Sequence, residues 1–274
     1  MQVKTIPNVL TIAGVDPSGG AGVLADIKTI SALGGYGCGV IAALTAQNTR
    51  AVTGVCPVPA AFVKEQLDTL FADVRIDAVK IGMLSDEAVI NVVAEALNRY
   101  RPRFVVLDPV MVAKSGDRLL PENCVQALIH QLLPLATVLT PNLPEAAVLA
   151  QEAEIQSEEE MPALTQKLLP KMKTGAWLLL KGGHLTGQEV PDLLTDGTDH
   201  FVYRAERIET KNTHGTGCTL SSAIATLLPQ CETVPEAVEK AKKYLWEAIR
   251  YSDKLTVGHG HGPVHHFYPE LFIN

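Results

Sequence analysis

The sequence has no apolar run long enough to cross a bilayer, because its hydrophobic stretches are short and broken by Gly, Pro or charge. The opening MQVKTIPNVL lacks the apolar core and small-residue cleavage site of a signal peptide, so a cytoplasmic protein is expected. No C-x-x-C occurs, and the five cysteines (Cys38, Cys56, Cys124, Cys218 and Cys231) are scattered and odd in number. That excludes a disulfide framework and a zinc site. A basic excess is missing too: 30 Asp and Glu stand against 23 Lys and Arg, for a net charge of -7. The balance argues against a nucleic-acid partner, yet leaves room for a local cationic pocket. A Walker A loop is absent. Disorder is excluded by a hydrophobic content of 47%. The 274 residues could hold one large α/β domain or two small ones. No linker or composition shift divides them, so one domain over residues 1–274 is expected.

What is present is an alternation of short apolar runs and amphipathic stretches. Residues 9–13, 38–46, 79–84, 104–107, 137–140 and 177–180 are near-continuous apolar runs that read as buried strands. Between them, residues 23–33, 62–74, 86–100, 122–133 and 144–151 show helical spacing. Ser157 and Glu160 stand at capping-box spacing ahead of a further helix. Residues 193–195 and 201–204, joined by DGTD, read as a hairpin, and two helices follow over 219–228 and 235–255. Repeated strand–helix units imply a mostly parallel sheet with helices on both faces. Ligands then bind beyond the carboxyl ends of the strands, where Gly14, Gln47, Met83, Asp108, Asn142 and Lys181 fall.

Each candidate carries a plain structural alternative. Gly20, Gly22 and Ala25 fit a loose dinucleotide pattern, but the next strand ends in Gln47-Asn48, with no carboxylate for a ribose. A glycine-rich turn that brings backbone close to a ligand remains. His214-Gly215-Thr216-Gly217-Cys218 opens a helix, and its free N–H groups suit an anion. The same position is expected to lower the Cys218 pKa, making it a candidate base or thiolate; the alternative is a small capping residue. Asp108, Asn142 and Glu145 offer oxygen ligands of the kind Mg²⁺ takes, although Asn142-Leu143-Pro144-Glu145 also reads as an ordinary capped helix start. Lys181 could meet a phosphate as a point charge. The histidines of residues 258–266 lack Cys, Asp or Glu among them, and their glycine spacing fixes no metal geometry. Residues 111–119, with Lys114 and Gly116, are expected to form a mobile lid.

Eight segments in order, TIAGVDPSGGAGVLADIKT, ALTAQNT, VKIGML, VLDPVMVAKSG, LTPNLPEAAVL, LLKGGH, TKNTHGTGCTLSSAIA and VGHGHGPVHHF, resemble the hydroxymethylpyrimidine/phosphomethylpyrimidine kinases of thiamine biosynthesis. The likeness runs over residues 9–267. It implies a ribokinase-like three-layer sandwich and transfer of phosphoryl groups from ATP, with Mg²⁺, to 4-amino-5-hydroxymethyl-2-methylpyrimidine and then to its monophosphate. It implies that Gln47 and Asp26 contact the aminopyrimidine and that Gly14, Met83 and Val110 line its pocket. Gly215, Thr216, Gly217 and Cys218 would form the anion hole, with Cys218 where most related sugar kinases carry an aspartate base. Lys181, Asn142, Glu145 and Asp108 would surround MgATP. Relatives form dimers, so a homodimer is expected, with Tyr36, Tyr100 and Trp246 as surface anchors. The rivals are a pyridoxal or pyridoxine kinase of the same superfamily, an NAD-linked oxidoreductase, and a non-catalytic binding protein.

Overall fold

The computed structural model describes residues 5–112, 120 and 124–268. The expected lid lies outside these from residue 113 onward. The chain enters through β1 (Asn8–Val15), α1 (Gly22–Ala32), β2 (Tyr36–Gln47), β3 (Val52–Pro57) and α2 (Ala60–Asp73). It continues through β4 (Ala78–Ile81), α3 (Glu87–Tyr100), β5 (Phe104–Leu107) and a short α4 (Cys124–Ala127). Then come β6 (Val138–Leu139), α5 (Leu143–Ala150), α6 (Met161–Leu168), β7 (Trp177–Lys181) and the hairpin β8 (Glu189–Thr195) and β9 (His200–Glu206). Helices α7 (Thr216–Leu227) and α8 (Val234–Arg250) close the order.

Among the described residues these strands form one nine-stranded sheet in the order β3-β2-β1-β4-β5-β6-β7-β8-β9. The sheet is mixed, which corrects the expectation of a mostly parallel one. Six central strands from β2 to β7 run parallel, while β3, β8 and β9 pair antiparallel at the two edges. Strand β3 escapes sequence pattern because most of it is exposed, so it shows no apolar run. The expected helix over 122–133 is broken: α4 passes into a π-helical turn, Leu128–Leu132, and a 3-10 turn, Leu133–Leu135, where Pro134 cannot donate a helical bond.

Pleating divides the core into two layers. Leu10, Ile12, Val79, Ile81, Val105, Leu107, Leu178 and Leu180 pack against α2 to α6 on one face. Val9, Ala78, Val106, Val138 and Leu179 pack against α7 and α8 on the other, where Ile30 of α1 joins them. Both faces of the central strands are therefore covered, and their apolar runs are the consequence. Helix α3 shows how a covering helix is specified. Asp86 Oδ1 accepts from Val89 N at 2.9 Å, Val89, Ile90, Val93, Ala94 and Leu97 form one buried stripe, and Arg101 ends it in the left-handed region. Each fully buried Val, Ile or Leu contributes about 1.5–3 kcal/mol. Among the described residues no helix is long and apolar enough to cross a membrane.

Candidate active site

Two glycine-rich turns meet beyond the carboxyl end of β1. The first, residues 16–21, leads into α1; the second, residues 212–215, leads into α7. Their glycines serve mutual packing. A Cβ on Gly215, whose φ is +77, would lie 1.8 Å from Gly20 O, and one on Gly22 (φ +58) 2.2 Å from Gly14 O. Only glycine accommodates both the left-handed backbone and the close approach. Across the junction, Asp16 Oδ2 lies 2.7 Å from His214 Nε2, and Asp16 also accepts from Ser18 and from Ala21 N. Burial works to raise the Asp16 carboxyl, but His214 and Ser18 outweigh it, and the group is held below its ordinary value.

Helix α7 starts inside this junction. Thr219 N is the first donor into the helix, to Gly215 O at 2.8 Å. The N–H groups of Thr216, Gly217 and Cys218 thus precede helical bonding, and the three residues are only half-buried. One turn into α7, two consecutive serines each hold a buried aspartate. Ser221 Oγ donates to Asp108 Oδ2 (3.2 Å) and Ser222 Oγ to Asp26 Oδ1 (2.7 Å). Each aspartate is paired with a lysine: Lys181 Nζ lies 3.1 Å from Asp108 Oδ1, and Lys80 Nζ 2.8 Å from Asp26 Oδ2. Gly217 stands over the first pair, since a Cβ there would lie 3.5 Å from both Asp108 Oδ2 and Lys181 Nζ.

Cys218 differs from its expectation. Burial pushes the thiol up to about 11, with Asp26 and Asp108 adding to the rise and Lys80 and the Gly22 N–H opposing it. The helix N-terminus does not lower it, because burial and two nearby carboxylates outweigh a single helix end. In the free protein at neutral pH, Cys218 is a thiol.

The three oxygen ligands divide. Asn142 is committed to the helix: its Oδ1 accepts from Glu145 N at 2.8 Å, and Glu145 Oε2 accepts from Asn142 N at 2.9 Å, a capping box. Burial pushes the Glu145 carboxyl up to about 7; Lys181 opposes this and Asp108 adds to it. Lys181 is raised, because the Asp108 and Glu145 carboxylates overcome the burial that would lower it. Among the described residues no three His, Cys, Asp or Glu side chains form a ready metal cage. Asp108 and Glu145 beside Lys181 nevertheless suit Mg²⁺, a hard cation that takes one or two carboxylates and fills its remaining positions with water and phosphate oxygens.

The residues expected around the ring fall on neighbouring strand ends, with one exception. Thr45 Oγ1 donates to Val15 O (2.9 Å) and to Gln47 Oε1 (3.1 Å), which ties Gln47 to the end of β1. Gly14 and Met83 adjoin, a Cβ on Gly14 lying 3.2 Å from Met83 Sδ. Val110 N closes a turn onto Asp108 O at 2.8 Å. Asp26 is the exception. It is 0% exposed, and its two oxygens take bonds from Thr11, Lys80 and Ser222, so it underlies the site and presents no free oxygen to a ligand.

Lys80 and the Asp16–His214 pair escape a sequence reading. Lys80 lies inside an apolar strand instead of at its end, and Asp16 and His214 are separated by 198 positions. The single available signal was a charged residue within the run Ala78-Val79-Lys80-Ile81. The histidine-bearing segment acts as a strap: Gly260 N donates to Thr49 Oγ1 (3.0 Å), His261 N to Thr49 O (2.8 Å), and His214 N to Gly262 O (3.0 Å). Tyr100 and Trp246, expected as surface anchors, are used internally. Tyr100 stacks on Phe71 and donates to Asp68, and Trp246 Nε1 donates to Glu206 O.

Fold and site together define an α/β enzyme of phosphoryl transfer, a small-molecule kinase. Within that class the chain belongs to the phosphomethylpyrimidine kinase family, whose profile matches residues 16–265. It is 52% identical over 261 residues to the hydroxymethylpyrimidine/phosphomethylpyrimidine kinase of Escherichia coli K12, covering 95% of this chain and 97% of that one. Phosphomethylpyrimidine kinase from Clostridium difficile 630 superposes with a TM-score of 0.78 at 41% identity, over 89% of this chain and 99% of that one. An ADP complex of pyridoxal kinase from Bacillus subtilis superposes with a TM-score of 0.88 at 34% identity, over 98% of this chain and 100% of that one.

Proposed function

We propose that the chain transfers the γ-phosphoryl group of ATP to the hydroxymethyl group of 4-amino-5-hydroxymethyl-2-methylpyrimidine, and a second one to the resulting monophosphate, in thiamine biosynthesis. The observation that carries this reading is the convergence of the α7 start with the Lys181–Asp108 pair beneath Gly217. Helix-end N–H groups and a lysine are what the three equatorial oxygens of a moving phosphoryl group require, since its loose transition state asks mainly for positioning and positive charge. Gly215, Thr216, Gly217 and Cys218 form the anion hole, and Lys181 exchanges its Asp108 contact for phosphate. Gln47 reads the aminopyrimidine by paired donor and acceptor bonds, with Gly14, Met83 and Val110 lining the ring. Asp26 is reassigned from ligand contact to buried support. Cys218, after giving its thiol proton to solvent, takes the hydroxyl proton as the phosphoryl group moves.

Asp108 and Glu145 would hold Mg²⁺, and Asn142 would keep Glu145 in place through the capping box. When bound, the ion neutralises charge on the donor phosphates. The chain acts as one ribokinase-like domain, in the cytoplasm, and as a homodimer. The exposed Leu44, Ala46 and Cys56 on one face of the β2–β3 ribbon support the last point. A second reading, pyridoxal kinase, draws support from the likeness to the Bacillus subtilis enzyme. A coupled ADP-release assay separates the two, run with the pyrimidine, its monophosphate, pyridoxal, pyridoxine and ribose, with and without Mg²⁺. Mg²⁺-dependent release with both pyrimidines supports the first reading, and release with pyridoxal alone would replace it with the second.

A further inference from the structure

We propose that Lys80 is a positioning residue for phosphoryl transfer, acting through Cys218: its ammonium, fixed by Asp26 beneath the start of α7, stabilises the negative charge that Cys218 carries as proton acceptor. This rests on the role of Cys218 given above.

Cys218 and Ser222 lie four residues apart on α7, and Gly22 and Asp26 four apart on α1, so each pair shares a helix face one turn apart. At the upper level the Gly22 N–H favours negative charge on the Cys218 sulfur. At the lower level Ser222 Oγ donates to Asp26 Oδ1 at 2.7 Å. Lys80 enters that lower level from β4, its Nζ 3.0 and 2.8 Å from the two Asp26 oxygens. Thr11 Oγ1 adds a bond to Asp26 Oδ2 at 2.6 Å. Room for the ammonium exists because position 82 is glycine; a Cβ there would lie 2.7 Å from Lys80 Nζ.

Lys80 is 0% exposed and cannot reach a substrate. Burying an ion pair is costly and an apolar pair of similar volume often serves stability as well, so a buried lysine beside a reactive group invites a reason other than stability. The groups of charge around Cys218 are Lys80 from β4, Asp26 from α1 and Asp108 from the end of β5. Lys80 is the positive member of this set, and Lys181 lies nearby, paired with Asp108 beneath Gly217. Burial would strip the lysine of its proton, yet the Asp26 carboxylate, with Asp108 further off, holds it protonated. In the step itself the acceptor hydroxyl gives its proton to the Cys218 thiolate, its oxygen bonds the γ-phosphorus, and the bond from that phosphorus to the bridging oxygen breaks to release ADP. Lys80 neither gains nor loses a proton; it lowers the energy of the thiolate from which the step begins.

The two charges of the pair act on Cys218 with opposite sign, and that gives the test. The rate of iodoacetamide alkylation at Cys218, read on its peptide by mass spectrometry in the full-length protein at fixed pH, follows the thiolate fraction. Lys80→Met should slow it by about tenfold, and Asp26→Asn should speed it by a similar factor. General loosening of the fold would speed both. Both variants changing in one direction, or neither changing, overturns the proposal. Should Lys80→Met fail to give folded protein, Asp26→Asn is read beside alkylation of the buried Cys38, and an acceleration at Cys218 that is absent, or matched at Cys38, overturns the proposal. In turnover, Lys80→Met should lower kcat while leaving KM for ATP near the parent value. If both alkylation shifts appear but Cys218→Ala keeps the parent kcat, the coupling of Lys80 to Cys218 stands and the proton-acceptor role of Cys218 falls.

Discussion

Burial and two carboxylates hold the proton on Cys218 against the pull of Lys80 and the Gly22 N–H. A base that must first lose that proton gains strength with pH. The log of kcat should therefore rise from about pH 7 to about pH 9 in the parent enzyme and lie flat in Cys218→Asp, whose carboxylate is ionised throughout. Cys218→Ala should lose about 10²–10⁴-fold in kcat, and steady-state kinetics with the pyrimidine would show it. Gln47→Leu should raise KM for the pyrimidine far more than KM for ATP, because the role proposed for its amide is with the ring and not with the phosphates. At this scale the strand-end rule made Asp108, Lys181 and Gln47 legible in the sequence. Lys80 was not, since nothing in a run of apolar residues tells which charged side chain finds a buried partner 54 positions away. Asp26 was legible as important, but its role depends on contacts with Thr11 and Ser222 that only the fold supplies.

Among the elements, α7 joins most of the site. Its start is the proposed anion hole, and its second turn grips Asp108 and Asp26. Gly215→Ala would force a Cβ to 1.8 Å from Gly20 O in a left-handed backbone, and the two turns would have to part. Thermal unfolding should show a loss of at least about 2 kcal/mol, combining backbone strain with lost packing. The strap over residues 258–266 ends at His266, whose Nε2 lies 3.2 Å from Thr219 Oγ1 and whose carbonyl accepts from Tyr244 Oη at 2.6 Å. Burial, with Lys28 and His265 nearby, lowers the His266 imidazole to about 3 from 6.5. The folded state then binds fewer protons than the unfolded one, so stability falls as pH drops from about 6.5 towards about 3. At pH 5 the loss is on the order of 2 kcal/mol, and His266→Gln should remove it, as denaturant titrations at pH 5 and pH 7.5 would show. The parallel strands and most of their helices could be read from periodicity, the broken segment over 122–133 excepted. Strand β3 could not, because an exposed edge strand lacks the apolar signature that both-face burial imposes.

For the molecule as a whole, strand order decides which sequence ends meet. Placing β1 between β2 and β4 brings Gly14, Gln47 and Met83 to one edge of the sheet, and β5 to β7 bring Asp108, Asn142 and Lys181 to the same edge. Strand–helix alternation announced a covered sheet but not this order; the antiparallel β8–β9 hairpin was legible from its DGTD turn, and the antiparallel β3 edge was not. The exposed face of the β2–β3 ribbon is where the proposed homodimer is tested. Leu44, half exposed, changed to Lys should convert a dimer to a monomer by light scattering after gel filtration, with the far-ultraviolet spectrum unchanged. The proposed activity is two successive phosphoryl transfers to one pyrimidine. Its most direct measurement is the number of ADP molecules released per pyrimidine consumed, followed together with the product's phosphorus spectrum. Two ADP are expected for each 4-amino-5-hydroxymethyl-2-methylpyrimidine, with a pyrophosphate ester as the end product. A halt at one ADP, or release with pyridoxal but not the pyrimidine, would contradict it.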